Sequence, residues 1–193
     1  TMNSIRQIVN LEKYPINDLN YFGKQCNEKL TKESILKLDN FLTKEAITVL
    51  QKESEELYKK AFYCSQLHTI LLNRKNNKVC EDDPCNIEVK SDKGCVPHDL
   101  IHNKSYLNIL YNSNHFKNFI KNILNVNSIY PYKDRLSSIN YNYYEKSQQL
   151  GWHFDDASFA ITLMVSSPNS GGVFQYINKY RDSKKNYFNK KKL

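Results

Sequence analysis

Helical and strand-like sequence patterns occupy different parts of this chain. From Ser128 onward, short β-rich runs are separated by turn residues, and they cover 128–132, 135–144, 152–155, 158–167 and 171–177. Helices that precede strands predict an α+β fold, with the helices packed on one side of a mainly antiparallel sheet. A chain of 193 residues can bury a real core. We therefore expect a single domain over 1–193, with a mainly helical part at 1–127, the first strands at 128–178 and a basic tail at 179–193.

The clearest helix signal begins near Thr43. This residue is a suitable N-cap, and Glu45 follows in the first turn, where the helix dipole favours an anion. One apolar stripe then recurs at helical spacing, formed by Ile47, Leu50, Leu57 and Ala61. Leu36 and Leu38, two residues apart, indicate a short strand before the helix.

The middle of the chain alternates apolar and polar stretches. Residues 67–73, with the sequence LHTILLN, read as a strand. Residues 74–94 are polar and contain Pro84, so we expect a loop there. Residues 99–125 carry two helical stripes that are parted near 112–114. The pattern therefore predicts two helices in this last region.

The charge and the cysteines bear on the class of protein. The net charge of +8 is spread along the chain and is densest in the C-terminal stretch 184–192, so we expect no nucleic-acid partner. The longest apolar run, 159–165, is far too short to cross a bilayer. The five cysteines are an odd number for a secreted disulfide framework. A cytoplasmic protein fits these features best.

A His, a spacer and an Asp occur at His153 and Asp155, inside a run that is predicted to be a strand. Side chains two residues apart in a strand point to the same face, so this imidazole and carboxylate can hold a divalent ion together. Such a pair, completed by a distant His, leaves open positions on a non-haem Fe(II). The bare triplet is more often a surface or core pair. The apolar run 159–165 and the Gly171-Gly172 turn that follow it favour the metal.

A longer stretch of the chain, from Tyr130 to about Tyr187, resembles the Fe(II)/2-oxoglutarate-dependent oxygenases. The matching elements are SINYNYYEKSQQLGWHFD, FAITLMV and SGGVFQYINKYR. Gly-Trp-His-Phe-Asp and Gly-Gly-x-Phe are similar to stretches of the small bacterial amino-acid hydroxylases and halogenases. The resemblance implies a double-stranded β-helix, a jelly-roll-like core, of which this chain would hold a part.

The resemblance also implies the chemistry. His153 and Asp155 would be two of three Fe(II) ligands and the catalytic residues, with 2-oxoglutarate as co-substrate. Dioxygen would then hydroxylate a C–H bond of a small molecule, such as a free amino acid, as 2-oxoglutarate is converted to succinate. Halogenating relatives carry a small residue in place of the acid, so Asp155 favours hydroxylation.

Three further residues have two readings each. Asn140 and Tyr143 precede the His-x-Asp triplet on a predicted strand, and they either reach 2-oxoglutarate or pack in the sheet. Asp156 either receives a substrate ammonium or is an exposed acid of a turn.

The family pattern continues beyond the part that matches here. It places a third ligand, a His, after the Gly-Gly strand, and then an Arg that pairs with 2-oxoglutarate. Beyond Tyr176 the sequence has no His, and its one Arg is Arg181, which comes too early. We therefore expect a C-terminally incomplete member that binds iron weakly and turns over poorly.

Two other functions are compatible with the same residues. One is a non-catalytic jelly-roll-like protein that binds a ligand or partner and has lost its closing strands. The other is a basic nucleic-acid-binding domain with a structural zinc site, for which the candidate ligands are Cys80, Cys85, Cys95 and His98, with His102 nearby. The spacing of these residues is not that of a compact Cys-x-x-Cys knuckle, which favours a polar loop.

Overall fold

The computed structural model of the protein describes residues 1–178, together with the backbone of 181–182 and 187–188. Contacts divide the chain into two units, the first formed by 1–59 and 96–141, and the second by 60–95 and the chain from 142 onward. The first unit is helical, and the second is built on a small sheet. The predicted single-domain organisation stays a prediction.

The helices of the first unit are α1 (Met2–Ile8), α2 (Phe22–Glu33), α3 (Lys44–Tyr58), α4 (Tyr106–Tyr111) and α5 (Asn114–Leu124). Side-chain oxygens cap the last three by accepting from main-chain N–H groups: Thr43 from Ala46, Ser105 from Leu107, and Ser113 from Phe116. These caps satisfy donors that have no partner inside the helix.

Aromatic rings fill the centre of the helical unit. The ring of Phe22 stacks on that of Phe119, with centroids 5.5 Å apart and an interplanar angle of 5°. The ring of Phe41 lies 6.3 Å from the same Phe119 ring. Aliphatic residues from α1, α3 and α5 complete this core; those that are buried include Ile5, Ile8, Leu50, Ile120 and Ile123.

One carboxylate joins α3 to two later segments of the same unit. Glu53 accepts hydrogen bonds from the hydroxyls of Ser105 and Tyr141, each at 2.7 Å. Both donors are only 6% exposed. Their hydroxyls therefore depend on this acceptor, because a buried polar group without a partner is costly.

Most of the helical predictions are confirmed. The helix after Thr43 forms with Thr43 as its N-cap, and Leu50 is its most buried stripe residue. The two helices expected in 99–125 are α4 and α5, and they are parted at 112–113. The strand predicted at Leu36–Leu38 is wrong: a single bridge, between Val9 and Leu42, is the pairing found nearby. A strand needs a neighbour to bond its backbone groups, and no strand of the described chain runs beside 36–38.

A three-stranded sheet has the order β1 (Phe62–His68), β2 (Val89–Val96) and β3 (Tyr141–Tyr143). Its residues belong to the second unit, apart from Val96 and Tyr141 at two strand ends. Strands β1 and β2 are antiparallel, from the pair Phe62–Cys95 to the pair His68–Val89. Farther along the chain, β4 (Arg181–Asp182) and β5 (Tyr187–Phe188) form a separate antiparallel pair.

The loop between β1 and β2 is organised by one buried amide. Asn86, which is 3% exposed, ends a short 3-10 helix, Pro84–Asn86. Its Nδ2 donates to the carbonyls of Asn76 and Val79 at 3.1 and 3.3 Å, and its Oδ1 accepts from the N–H of Asn76 at 2.7 Å. The predicted loop is thus present, but it ends early, because β2 begins at Val89.

Helices together with a small antiparallel sheet confirm the α+β class. The predicted order, with the helices before the strands, is not found, because β1 and β2 lie between α3 and α4, and the predicted strands are only partly found. The strand expected at 67–73 lies earlier, at Phe62–His68. Of the β-rich runs between 128 and 178, 135–144 contains β3, and the others form no strand in the described chain. Leu163 and Val165 are half-buried. The other large apolar residues of 159–177 are 39 to 79% exposed, and they are Phe159, Ile161, Met164, Val173, Phe174, Tyr176 and Ile177. β-prone composition forms a strand only where a neighbour pairs with it.

No helix among the described residues is long and apolar enough to cross a membrane.

Candidate metal-binding site at His153

The segment that carries His153 is fixed to the ends of two strands. The N–H of Phe154 donates to the carbonyl of Ile70, just after β1, at 2.8 Å. The N–H of Gly151 donates to the Oγ of Ser91 in β2, also at 2.8 Å. The predicted strand at 152–155 is therefore wrong: two separate bonds hold the segment where a strand ladder was expected.

The imidazole of His153 has a partner at each nitrogen. Nδ1 lies 2.7 Å from the carbonyl oxygen of Gly151, and a carbonyl can only accept, so Nδ1 carries a proton. Nε2 lies 3.2 Å from Oδ1 of Asp155. The His153 side chain is 20% exposed and that of Asp155 is 56% exposed. The two side chains therefore converge, and solvent can reach the carboxylate.

The two groups change each other's acidity. The hydrogen bond with Asp155 raises the pKa of His153, an effect that burial opposes and the Gly151 carbonyl reinforces. The same hydrogen bond lowers the pKa of the Asp155 carboxyl, again against the effect of burial. Each partner thus stabilises the charged form of the other.

Gly151 is required by a close approach to β2. A Cβ at this position would lie 2.6 Å from Cγ2 of Val89 and 2.9 Å from the carbonyl oxygen of Lys90. Any other residue would have to move the segment away from the strand. The Gly before Trp-His-Phe-Asp is thus a local signal for this contact.

A second histidine, His68, lies beneath the pair and is only 2% exposed. Its ring stands at 90° to the ring of His153, with centroids 6.1 Å apart. Its Nδ1 is 2.8 Å from the carbonyl oxygen of Thr69, and its Nε2 is 2.5 Å from Oγ of Ser91. With both nitrogens engaged, His68 does not act as a third ligand in this arrangement.

No group of three or more His, Cys, Asp or Glu side chains suited to a metal occurs in the described part of the chain. Cys80, Cys85, Cys95 and His98 are therefore not gathered into a zinc site among the described residues. The loop is instead organised by the hydrogen bonds of Asn86.

The remaining candidate residues occupy different environments. Tyr143 is in β3 and lies close to Gly94, since a Cβ added to Gly94 would be 3.4 Å from the Cβ of Tyr143. Asn140 precedes β3 and belongs to the first unit. Asp156 is exposed. Trp152 is 47% exposed. The roles of Asn140, Tyr143 and Asp156 in binding co-substrate and substrate stay predictions.

Comparison with protein families gives one match. The model of the family described as Halogenase D matches residues 20–193. The chain belongs to the Halogenase D family. No curated protein and no solved structure matches it.

Halogenase D membership covers most of both units, including the His153 segment. It indicates an enzyme of halogenase type, which is loosely consistent with the oxygenase resemblance. The residues that sequence reasoning missed are His68 and Ser91. The partner of His68 is Ser91, 23 residues away along the chain, and the partner of Ser91 is Gly151, 60 residues away. No local sequence pattern indicates contacts over such separations.

Proposed function

We propose that this member of the Halogenase D family is a non-haem Fe(II)/2-oxoglutarate-dependent oxygenase of the hydroxylase type. Its substrate would be a free amino acid or a similar small molecule, and dioxygen would be the co-reactant. The observation that carries the proposal is the convergence of Nε2 of His153 and Oδ1 of Asp155 at 3.2 Å. The proposal includes the fold that goes with this activity, a core that forms part of a double-stranded β-helix.

The donor atoms of the pair suit Fe(II). An imidazole nitrogen and a carboxylate oxygen are ligands that non-haem Fe(II) accepts. Histidines that bind metals usually donate their other N–H to a carbonyl or carboxylate, and Nδ1 of His153 has such a partner in Gly151. With Nδ1 protonated, Nε2 donates its own proton to Asp155 in the metal-free protein, and the loss of that proton would free the Nε2 lone pair for a metal.

Each residue would have a defined task in the reaction. Bound Fe(II) with 2-oxoglutarate supplies the oxidation of a C–H bond by dioxygen. His153, held by the Gly151 carbonyl, would present Nε2 in a fixed direction. Asp155 would supply a negative charge and release its hydrogen bond to His153. Asp156, which is exposed one residue later, would receive a substrate ammonium.

The choice between hydroxylation and halogenation depends on residue 155. Halogenating members of the resembled subfamily have a small residue there, which opens a position for chloride. Asp155 would fill that position, so hydroxylation is favoured although the family takes its description from halogenation.

The test is Fe(II)-dependent conversion of 2-oxoglutarate to succinate, with metal binding measured separately under anaerobic conditions. The His153→Ala and Asp155→Ala variants should lower both signals to the level of the metal-free protein. His102→Ala, which removes an exposed histidine, should leave them unchanged. Wild-type protein that binds no Fe(II), with or without 2-oxoglutarate, would contradict the proposal.

A non-catalytic binding protein is the second candidate. It is favoured by the finding that the described residues offer two converging donors and no group of three. In that case 2-oxoglutarate or an amino acid would protect the protein against unfolding without any succinate being formed.

A further inference from the structure

We infer that His68 and Ser91 are positioning residues, which hold the imidazole of His153 in the direction that metal binding requires. The inference rests on the proposed function, because it concerns the same pair of ligands. It assigns a task to two buried polar side chains that do not themselves reach the site.

The direction of each hydrogen bond follows from the chemistry of the groups. The carbonyl of Thr69 can only accept, so Nδ1 of His68 donates to it at 2.8 Å and Nε2 keeps a lone pair. That lone pair accepts the proton of Ser91 Oγ at 2.5 Å. With its proton so directed, Ser91 Oγ is free to accept from the N–H of Gly151 at 2.8 Å.

Gly151 connects the Ser91 hydroxyl to the imidazole of His153. Its N–H is held by Ser91, and its carbonyl accepts from Nδ1 of His153 at 2.7 Å. The series runs from Thr69 through His68, Ser91 and Gly151 to the imidazole of His153, with one donor and one acceptor at every step. A rotation of Gly151 would turn its carbonyl and thereby the ring.

The stability of the fold alone does not require two buried polar side chains at these positions. His68 is 2% exposed and Ser91 is 8% exposed. Two apolar side chains of similar shape can replace a buried hydrogen-bonded pair with little loss of stability. They could not accept from Gly151. The N–H of Phe154 bonds separately to the carbonyl of Ile70, so the segment stays attached when the Ser91 bond is removed.

The experiment compares Ser91→Ala with Ser91→Thr, which keeps the hydroxyl, and with Ile70→Ala. The last variant truncates a side chain that is 7% exposed and leaves the carbonyl of residue 70 in place. Two readouts use the metal-free protein: amide hydrogen exchange at Gly151 relative to Phe154, and the imidazole nitrogen chemical shifts of His153. The third is the affinity for Co(II) alone.

Ser91→Ala should speed exchange at Gly151 about tenfold relative to Phe154, shift the His153 nitrogens and weaken Co(II) binding about tenfold. Ser91→Thr should restore all three values. Ile70→Ala should lower the thermal midpoint without these changes. If Ser91→Ala does not fold, His68→Gln takes its place with the same readouts.

Unchanged Gly151 exchange and unchanged His153 shifts in Ser91→Ala would overturn the inference, whatever the Co(II) affinity. If the wild-type protein binds neither Co(II) nor Fe(II), the proposed function fails. The two metal-free readouts still decide whether His68 and Ser91 orient His153.

Discussion

The N-cap of α3 allows a sharp test of the energetics of the helical unit. Thr43 has extended backbone angles, φ −65° and ψ 158°, and its Oγ1 accepts from the N–H of Ala46 at 3.0 Å. The same hydroxyl donates to the carbonyl of Gln7 at 2.5 Å, which ties the start of α3 to the end of α1. The Thr43→Ala substitution removes both bonds at once.

The magnitude follows from these two bonds. Replacing an N-cap Thr by Ala costs about 1 kcal/mol of stability. The bond to Gln7 joins two helices and adds about 1 kcal/mol, the usual net contribution of a neutral hydrogen bond. We expect Thr43→Ala to lower the free energy of unfolding by about 2 kcal/mol, measured by urea denaturation followed by circular dichroism.

Two controls separate the cap from a general effect of Thr. Thr43→Ser keeps the hydroxyl and should stay close to wild type. Thr48→Ala removes a hydroxyl of the same helix that donates to the carbonyl of Lys44 at 3.1 Å. Such a bond inside a helix does not stabilise it, and Ala is the better helix former, so no loss is expected. Equal losses in Thr43→Ala and Thr48→Ala would refute the reasoning.

Three further perturbations test other parts of the chain. Glu53→Leu removes the acceptor of two buried hydroxyls, and urea denaturation should show a loss of about 2 kcal/mol or more, whereas Glu53→Gln should lose less. The hydrogen bond from the Gln149 N–H lowers the pKa of Asp92 most, and the hydrogen bond from Lys90 lowers it further. Its contribution is therefore complete above the unfolded pKa of about 4 and is lost as the pH falls through the lower folded pKa; Asp92→Asn should flatten the acid side of a plot of thermal midpoint against pH. Gly151→Ala should weaken Co(II) binding in a titration, because the added Cβ meets the main chain of β2; wild-type affinity in this variant would contradict the close approach.

Local signals were sufficient for α3, α4 and α5, whereas α1 and α2 lie in a stretch for which no particular helix was predicted. Thr43 and Ser113 are caps that stand directly before apolar stripes, and a helix closes its hydrogen bonds within one segment. Its pattern is therefore visible in a short window of sequence. The strand at Leu36–Leu38 was predicted from two apolar residues alone. Two such residues do not show which other strand would pair with this segment.

Strand β2 shows why the sheet was harder to predict. Its sequence, VKSDKGCV, is polar between the two terminal valines, so it resembles the loop before it. Contacts with distant residues hold the strand in place. It pairs with β1, and Asp92 makes two hydrogen bonds with Gln149. The main-chain N–H of Asp92 donates to the Gln149 carbonyl, and the main-chain N–H of Gln149 donates to Oδ1 of Asp92. Residues 57 apart carry no mark of such a contact in a single sequence.

The candidate site was predictable in part for the same reason. His153 and Asp155 are two residues apart and their side chains converge, but the strand from which this was predicted is not formed. Their support was not predictable. The buried partner Ser91 lies in the unrecognised strand, and His68 was assigned to a run that begins five residues later than β1.

The way in which the His153 segment is anchored has an evolutionary consequence. The bonds described between this segment and the strands use the main-chain N–H groups of Gly151 and Phe154, and the ring of His153 leans on a main-chain carbonyl. None of these bonds involves the carboxylate at position 155. A point mutation there could exchange the acid for a small residue while the imidazole keeps its place. Under the proposed function, a lineage with this loop could thus move between hydroxylating and halogenating descendants without rebuilding its scaffold.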